Sequence, residues 1–361
     1  LIEQEGIYQS LYKNKFEDEP VSSSKLVKKS TQLYLPEFEN EYNSSFVVDS
    51  WYKKSLWLYL LYPFSLIFSY ATSRRHRKFI KNKRISYKSD IPVIVVGNLT
   101  IGGTGKTPLV KYIAIELQKL GYKPGLVSRG YGGKFKETLK VDENTSVKQT
   151  GDEAQILSKL NLPFYIDINR VRAVKTIAAN HDCDIIISDD GLQHYNMNRD
   201  VEILVIDGKR RFGNNLSFPA GPLRESLKRL NSVDFVINNG AQQAGEITST
   251  LKPIMFVNVS TNEQKPLDYF NQQTCHAVAG IGYPERFFGA LTQLGVKAKT
   301  HSFADHHAFT RSDLVFDDDY PILMTAKDCV KCKEFATDQM WYLHVEAELS
   351  DDFLTELTKK L

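Results

Sequence analysis

The residues best suited to chemistry form a glycine-rich run in the first third of the chain. This run follows the apolar stretch IPVIVV at 91–96 and precedes a segment with helical spacing at 108–120. In that setting glycine N–H groups close around phosphate oxygens, and the positive end of the helix faces the anion. The lysine would reach the β- and γ-phosphates of a nucleotide, and the last threonine would hold Mg²⁺. The predicted phosphate-binding residues are Gly102, Gly103, Thr104, Gly105, Lys106 and Thr107.

One position departs from the usual phosphate-loop pattern. That pattern has a glycine five residues before Gly105, where this sequence has Thr100. The alternative is a glycine-rich turn without a ligand. The order of strand, GKT and helix favours a nucleotide site.

Two adjacent carboxylates follow a second apolar run, DIIIS at 184–188. Asp189 and Asp190 would lie at the carboxyl edge of a parallel sheet, close to the phosphate loop. We expect them to serve the Mg²⁺ ion together with Thr107. The alternative is a charged loop that only caps a helix.

Strands and helices alternate from about residue 90. Continuous apolar runs separated by helices are typical of a parallel sheet that is covered on both faces. The predicted fold class is therefore α/β, a P-loop NTPase-like and mostly parallel sheet. The strands expected in the core at 86–270 are 91–96, 124–127, 184–188, 201–206, 235–237 and 254–257. Later runs at 276–279, 322–324 and 341–344 predict a smaller C-terminal α/β lobe over 271–361.

The segment 51–85 predicts attachment to a membrane. Residues 56–72 are uncharged and rich in aromatic side chains, but Pro63 interrupts them and their length is at the lower limit for a bilayer span. An interfacial helix on an anionic surface suits this pattern. A buried core helix and a full span are the alternatives. The basic residues that follow are Arg74, Arg75, His76, Arg77, Lys78, Lys81, Lys83 and Arg84.

Residues 1–50 are polar and irregular, which is typical of a flexible arm. Within them, residues 1–18 resemble the C-terminal tail of ABC-type lipid exporters and are expected to take no part in catalysis. The net charge of +3 over 361 residues indicates no nucleic-acid partner. Four cysteines are too few for a disulfide framework, and the sequence indicates no obligate protein partner.

Eight short motifs together resemble one family, the tetraacyldisaccharide 4′-kinases, which are the lipid A 4′-kinases of Gram-negative bacteria. They occur in order over residues 51–361. The motifs are VGNLTIGGTGKTP (96–108), SRGYGG (128–133), GDEA (151–154), SDDGLQH (188–194), FPAGPLRE (218–225), GIGYPERFF (280–288), FADHHAFT (303–310) and TAKDCVK (325–331).

The resemblance implies a reaction and a location. The γ-phosphate of ATP, with Mg²⁺, would pass to the 4′-hydroxyl of a tetraacyldisaccharide 1-phosphate to give lipid IVA. The enzyme would be monotopic on the cytoplasmic face of the bacterial inner membrane, with its N-terminal helix in the bilayer.

The resemblance also implies roles for particular residues. Asp152 in GDEA is expected to be the general base, with His306 as its partner; His307 is the alternative partner. Arg224 in GPLRE is expected to clamp the transferring phosphate or the acceptor. Arg129 and Tyr131 are expected on the acceptor side.

His194 is expected to touch the acceptor or to hold the acidic loop. Lys327 and Asp328 lie in a matching motif without a derived role. Closure of the two lobes over ATP is expected to bring His306 toward Asp152.

Two other functions fit part of the sequence. A membrane-attached P-loop switch or assembly protein would release phosphate to water and not to a lipid. A kinase or ligase with a soluble substrate would leave the apolar segment 56–72 unexplained.

Overall fold

The computed structural model of the protein describes residues 46–81 and 86–361. The expectations for residues 1–45, the exporter-like tail included, lie outside the described residues, and so do Lys83 and Arg84. Helix α1 (Phe46–Lys53) begins inside the segment that the sequence assigned to the arm. Its residues Ser50 and Trp51 are buried, so the boundary of the arm at residue 50 was wrong.

The strands of the described residues form one 13-stranded sheet. Most of them are short, buried and rich in β-branched residues, as expected for strands covered on both faces. They are β1 (Val93–Gly97), β2 (Pro124–Ser128), β3 (Leu139–Lys140), β4 (Phe164–Ile166), β5 (Ile185–Asp189), β6 (Val201–Asp207), β7 (Phe235–Asn239), β8 (Ile247–Asn258), β9 (Gln264–Lys265), β10 (Thr274–Ala279), β11 (Lys297–Ser302), β12 (Ile322–Thr325) and β13 (Met340–Leu349).

Helices follow most of the strands and cover the sheet. Short 3₁₀ helices lie at Leu56–Leu61, Leu227–Asn231, Arg311–Leu314 and Lys333–Phe335. The further α-helices are α2 (Tyr62–Lys81), α3 (Lys106–Lys119), α4 (Val147–Thr150), α5 (Asp152–Ser158), α6 (Arg170–Asn180), α7 (Pro284–Gln293), α8 (Ala326–Cys332) and α9 (Asp351–Thr358).

The sheet has the strand order β11-β10-β12-β13-β8-β7-β6-β1-β5-β2-β4-β3, with β9 beside β8. Its pairings are parallel except β8 with β13, β8 with β9 and β3 with β4. The predicted α/β fold with a mostly parallel sheet is therefore confirmed. The predicted strands are present, whereas β3, β4, β9 and β11 were missed because they are very short or, in β11, polar.

Successive residues of β1 enter opposite hydrophobic cores. Ile94 and Val96 pack in the core that contains α3, α5 and α9. Val93 and Val95 pack in the core that contains α6. This alternation explains the continuous apolar run at 91–96, because side chains on both faces of the strand are buried.

The C-terminal strands extend the same sheet. Strand β8 pairs with β7 through residues 247–249 and with β13 through residues 249–258. Further apolar cores lie around Phe256 and around Met324. The described residues 46–81 and 86–361 belong to one compact unit, in which the predicted lobe is joined to the core by a shared strand.

The apolar segment forms the 3₁₀ helix Leu56–Leu61 followed by α2. Pro63 is the second residue of α2, where its missing N–H breaks no helical hydrogen bond, so it does not interrupt that helix. Among the described residues, the helices include none long and apolar enough to cross a membrane.

Candidate active site

The phosphate loop connects β1 to α3. The side-chain amide of Asn98 donates to the carbonyl of Gly102 and to Oγ1 of Thr104, both at 3.2 Å. Gly105 has φ +87°, and a side chain there would overlap the amide of Asn239. That amide donates to the carbonyl of Thr104 at 3.0 Å. Asn98 and Asn239 therefore hold the loop in place. Glycine is required at position 105 because of both its positive φ and the closeness of the Asn239 amide.

Helix α3 begins at Lys106, so the lysine and Thr107 lie in its first turn. Lys106 is buried, and its Nζ lies 3.5 Å from Oδ1 of Asp190. Register places Val96 of β1 beside Asp189 of β5. The phosphate loop and the acidic pair therefore share the carboxyl edge of the sheet, as their positions after two strands predicted.

Asp190 forms ion pairs with cationic side chains. Nη1 of Arg224 donates to its two carboxylate oxygens at 3.2 and 3.0 Å. Burial would raise the pKa of Asp190, but the charges of Lys106 and Arg224 outweigh it and hold the pKa well below its ordinary value. The backbone carbonyl of Asp190 also accepts from Nη2 of Arg170 at 3.2 Å.

Asp189 has the opposite environment. It is 2% exposed, and neither carboxylate oxygen has a hydrogen-bond partner within the described structure. Burial, followed by the nearby charge of Glu153, raises its pKa to about 7. A buried carboxylate without donors is suited to a cation.

The residues at this edge fit Mg²⁺ bound with a nucleotide. Among residues 46–81 and 86–361, no group of three or more His, Cys, Asp or Glu side chains forms a metal cage. Mg²⁺ does not require one, since it commonly takes one or two protein ligands together with phosphates and water. Asp189 and the hydroxyl of Thr107 have oxygen atoms of the kind that Mg²⁺ takes.

Asp152 and His306 are 154 residues apart in sequence and adjacent in space. Nδ1 of His306 lies 3.2 and 3.0 Å from the two carboxylate oxygens of Asp152. Asp152 is the first residue of α5 and is buried, whereas His306 lies in the loop after β11 with φ +61°. Burial opposes ionisation of Asp152, but the bond from His306 and the charge of Lys327 lower its pKa.

The neighbouring histidine has another partner. Nε2 of His307 lies 3.2 Å from Oδ2 of Asp313, which caps the helix Arg311–Leu314. The structure therefore resolves the alternative left open by the sequence, and His306 is the residue beside Asp152. The ring of Tyr131 lies 4.9 Å from the ring of His306, so Tyr131 borders this pair.

Lys327 joins the same group, although its sequence motif predicted no role. Its Nζ lies 3.1 Å from Asp305, 3.2 Å from Nε2 of His306 and 3.8 Å from Asp152. It also lies 3.7 Å from Glu153, whose charge contributes to the raised pKa of Asp189. Glu153 is thus close to Lys327 and also acts electrostatically on Asp189.

His194 lies among arginines. Burial and then the charges of Arg170, Arg199, Arg75 and Arg129 lower the pKa of His194 to about 4, so the ring is neutral at pH 7. Its Nε2 is buried without a hydrogen-bond partner in the described structure.

Two of these arginines differ in exposure. Arg129 is exposed, while Arg170 is 4% exposed at the start of α6. Arg170 was not predicted because it lies outside the eight motifs, and its position at the start of a helix was the available signal.

Arg210 was also missed. Its guanidinium donates to the carbonyl of Gly103 at 2.6 Å and to that of Gly282 at 2.8 Å. It lies over the rings of Tyr52 and Tyr283 at 5.1 and 4.7 Å. Arg210 therefore links the phosphate loop to the GIGYPERFF motif and to helix α1.

The N-terminal helices contact two loops of the site. Nε1 of Trp51 donates to the carbonyl of Pro219 at 3.0 Å, and the N–H of Ala220 donates to Ser65 at 2.9 Å. The ring of Phe79 packs 5.0 Å from that of Tyr195. These contacts connect α1 and α2 to the loops that carry Arg224 and His194.

Comparisons with known proteins agree over most of the chain. The family model of tetraacyldisaccharide-1-P 4′-kinase matches residues 57–361. The tetraacyldisaccharide 4′-kinase of Ruthia magnifica subsp. Calyptogena magnifica is 54% identical over 305 residues, which cover 84% of this chain and 97% of the relative. That of Psychromonas ingrahamii is 45% identical over 315 residues, which cover 86% and 98%.

A solved structure matches the fold. The crystal structure of the "apo" form of LpxK from Aquifex aeolicus in complex with ATP is 28% identical, with a TM-score of 0.71, and the match covers 84% of this chain and 99% of that one. This chain belongs to the tetraacyldisaccharide 4′-kinase family of phosphotransferases.

Proposed function

We propose that this protein transfers the γ-phosphate of ATP to the 4′-hydroxyl of a tetraacyldisaccharide 1-phosphate, with Asp152 as the general base. The observation that carries the proposal is the contact of His306 with Asp152 at 3.0 Å, beside the edge that holds the phosphate loop. The hydroxyl proton passes to the carboxylate, the hydroxyl oxygen bonds to the γ-phosphorus, and ADP leaves with the bridging electron pair.

The phosphate loop and its cations stabilise the charge on the transferring group. N–H groups of residues 102–107 and the start of α3 bind the phosphates, while Lys106 reaches the β- and γ-oxygens. Arg224 lies 3.0 Å from Asp190, at the same edge of the sheet as the phosphate loop. This position supports its role as a clamp on the γ-phosphate or the acceptor.

Mg²⁺ would be held by Asp189 and Thr107. When bound, the ion neutralises phosphate charge and orients the nucleotide. Asp190 helps from a distance, because its carboxylate keeps Lys106 and Arg224 in position.

The arginines around His194 suit the acceptor's 1-phosphate. Arg129 is exposed, whereas Arg170 is buried beside the acidic loop. Together they provide one solvent-accessible and one buried positive charge. Neutral His194 provides an unpartnered Nε2 for a phosphate oxygen or a sugar hydroxyl. Tyr131, which is 58% exposed, borders the path to Asp152.

An apolar surface supports docking to the cytoplasmic face of the inner membrane. Leu56 is 83% exposed and Leu60 is 78% exposed. Basic residues on the following turns of α2 suit anionic headgroups. The other exposed apolar residues of this surface are Tyr59, Phe64, Leu66, Ile67 and Tyr70.

The first test follows the labelled phosphate. The protein is incubated with γ-labelled ATP, Mg²⁺ and tetraacyldisaccharide 1-phosphate in detergent, and lipids are separated from aqueous phosphate. We expect label in the lipid, lost by about three orders of magnitude in Lys106→Ala. Lys119→Ala is the control, since Lys119 is exposed near the other end of the same helix.

Label found only as free phosphate would contradict the kinase and support the P-loop switch. Full activity after deletion of residues 51–81, with an unchanged membrane-bound fraction, would support a soluble acceptor.

A further inference from the structure

Lys327 is enclosed by acidic groups and one histidine. Its side chain is 17% exposed and its Nζ is within 4 Å of Asp305, Asp152 and Glu153. Burial alone would lower the pKa of Lys327, but the charges of Asp305, Asp152 and Glu153 raise it above its ordinary value. The side chain is therefore a charged ammonium, which has three donors and no acceptor.

The contacts of Lys327 and Asp152 assign the tautomer of His306. An ionised carboxylate only accepts hydrogen bonds, so Nδ1 of His306, at 3.0 Å from Asp152, must carry a proton. An ammonium only donates, so Nε2, at 3.2 Å from Lys327, must accept. Both contacts are satisfied by one species, the neutral Nδ1–H ring.

The geometry assigns to Lys327 the role of a positioning residue that holds His306 as the neutral Nδ1–H tautomer pointing at the catalytic carboxylate of Asp152. This inference rests on the proposed function, in which Asp152 takes the proton of the acceptor hydroxyl. Lys327 reaches that carboxylate through His306 and through its own charge at 3.8 Å.

The tautomer has a consequence for the base. Nε2 lies closer to the ammonium of Lys327, at 3.2 Å, than to the carboxylate of Asp305, at 3.8 Å. Lys327 thus donates to Nε2 and leaves Nδ1–H as the donor to Asp152.

One further cation is close to this group but is engaged elsewhere. Nζ of Lys331 lies 2.7 Å from Asp328, and it contributes a lesser charge effect on Asp152. The titratable and charged groups that face the pair are therefore Tyr131, Glu153, Asp305, Lys327 and Lys331.

The experiment compares Lys327→Met, Lys327→Arg and a control, Lys148→Met, in the full chain. Lys148 forms an exposed pair with Glu334 at 3.1 Å and lies four residues before Asp152. Tautomers are read from ¹⁵N-histidine spectra, with His306→Ala assigning the resonance. Kinetics are read as kcat, KM for ATP and the pH profile of kcat/KM.

In Lys327→Met we expect a mixture of His306 tautomers and a fall in kcat of about tenfold to a hundredfold, with KM for ATP unchanged. The acidic limb of kcat/KM should move to higher pH, because Asp152 loses a nearby positive charge. Lys327→Arg should keep the tautomer and part of the activity. In a His306→Ala background, Lys327→Met should change kcat less than about threefold.

A wild-type tautomer and pH profile in folded Lys327→Met would overturn the inference, as would full additivity with His306→Ala. If Lys327→Met fails to fold, Lys327→Gln and Lys327→Arg give the same comparison. A wild-type protein that leaves the lipid unlabelled refutes the proposed function, whereas the ¹⁵N spectra still decide whether Lys327 sets the tautomer.

Discussion

Asp189 and Asp190 are neighbours in sequence whose carboxyl groups have opposite surroundings. Asp190 pairs with Arg224 at 3.0 Å and with Lys106 at 3.5 Å. Asp189 is buried with both oxygens unpartnered, and its pKa is raised to about 7. The sequence predicted two equivalent metal ligands. The structure instead has one carboxylate suited to a cation and one that positions cationic side chains.

This difference predicts distinct effects of Asp189→Asn and Asp190→Asn. Asp189→Asn should remove most of the stabilisation by Mg²⁺–ATP in thermal unfolding, and kcat should fall by about three orders of magnitude. Asp190→Asn should retain Mg²⁺-dependent stabilisation but should bind ATP more weakly, since Lys106 and Arg224 lose their anchor. Equal loss of the Mg²⁺ effect in both variants would contradict the assignment.

Asp189 also predicts a pH dependence of stability without metal. Its folded pKa, about 7, lies above its ordinary value of 3.8. The group therefore favours the folded state below the ordinary pKa, and this contribution is lost as pH rises through about 7. In EDTA, the free energy of unfolding of the wild type relative to Asp189→Asn should fall between pH 5 and pH 8. A difference that is constant with pH would count against the buried, unpartnered carboxylate.

The Asp152–His306 contact predicts the acidic limb of the pH–rate profile. The bond from His306 helps to lower the pKa of Asp152, so the proposed base stays ionised below the ordinary range of an aspartate. His306→Ala should raise that pKa, move the limb of kcat/KM to higher pH and lower kcat by about tenfold to a hundredfold. His307→Ala is the control, because His307 pairs with Asp313 and not with Asp152. The same shift in both variants would exclude a specific role for His306.

Arg210 predicts a nucleotide-binding defect. Its bonds to the carbonyls of Gly103 and Gly282 hold the phosphate loop against the C-terminal half of the sheet. Arg210→Met should raise KM for ATP about tenfold with a smaller change in kcat, because two charge-assisted bonds are lost. Lys119→Met, which replaces an exposed lysine at the other end of α3, should leave KM unchanged. Wild-type affinity for ATP in Arg210→Met, measured by calorimetric titration, would contradict a role of these two bonds in nucleotide binding.

The exposed apolar surface predicts membrane binding that is separable from folding. Leu60 and Ile67 are 78% and 69% exposed, so Leu60→Asp with Ile67→Asp should leave the melting temperature nearly unchanged. Sedimentation with anionic vesicles should show loss of the bound fraction. Leu120→Asp is the control, since Leu120 is 57% exposed at the end of α3, away from the N-terminal segment. Wild-type sedimentation of the double variant would refute docking through this surface.

Local patterns were sufficient for the long buried strands and for the phosphate loop. A strand buried on both faces must be apolar throughout, so 91–96 and 184–188 were readable from the chain alone. The phosphate loop is equally local, because a strand, glycines and a helix start are consecutive. The edge strand β11, KAKTHS, was missed because its half-exposed residues are polar.

Tertiary structure decided which residues meet. The unequal surroundings of Asp189 and Asp190 depend on Lys106 and Arg224, which come from other parts of the chain. The family motifs marked Asp152 and Lys327, but only folding brings them to 3.8 Å and gives the lysine a role. Sequence determines local backbone preference and burial over a few residues, whereas pKa values and tautomers depend on charges brought within about 4 Å by the packing of distant segments.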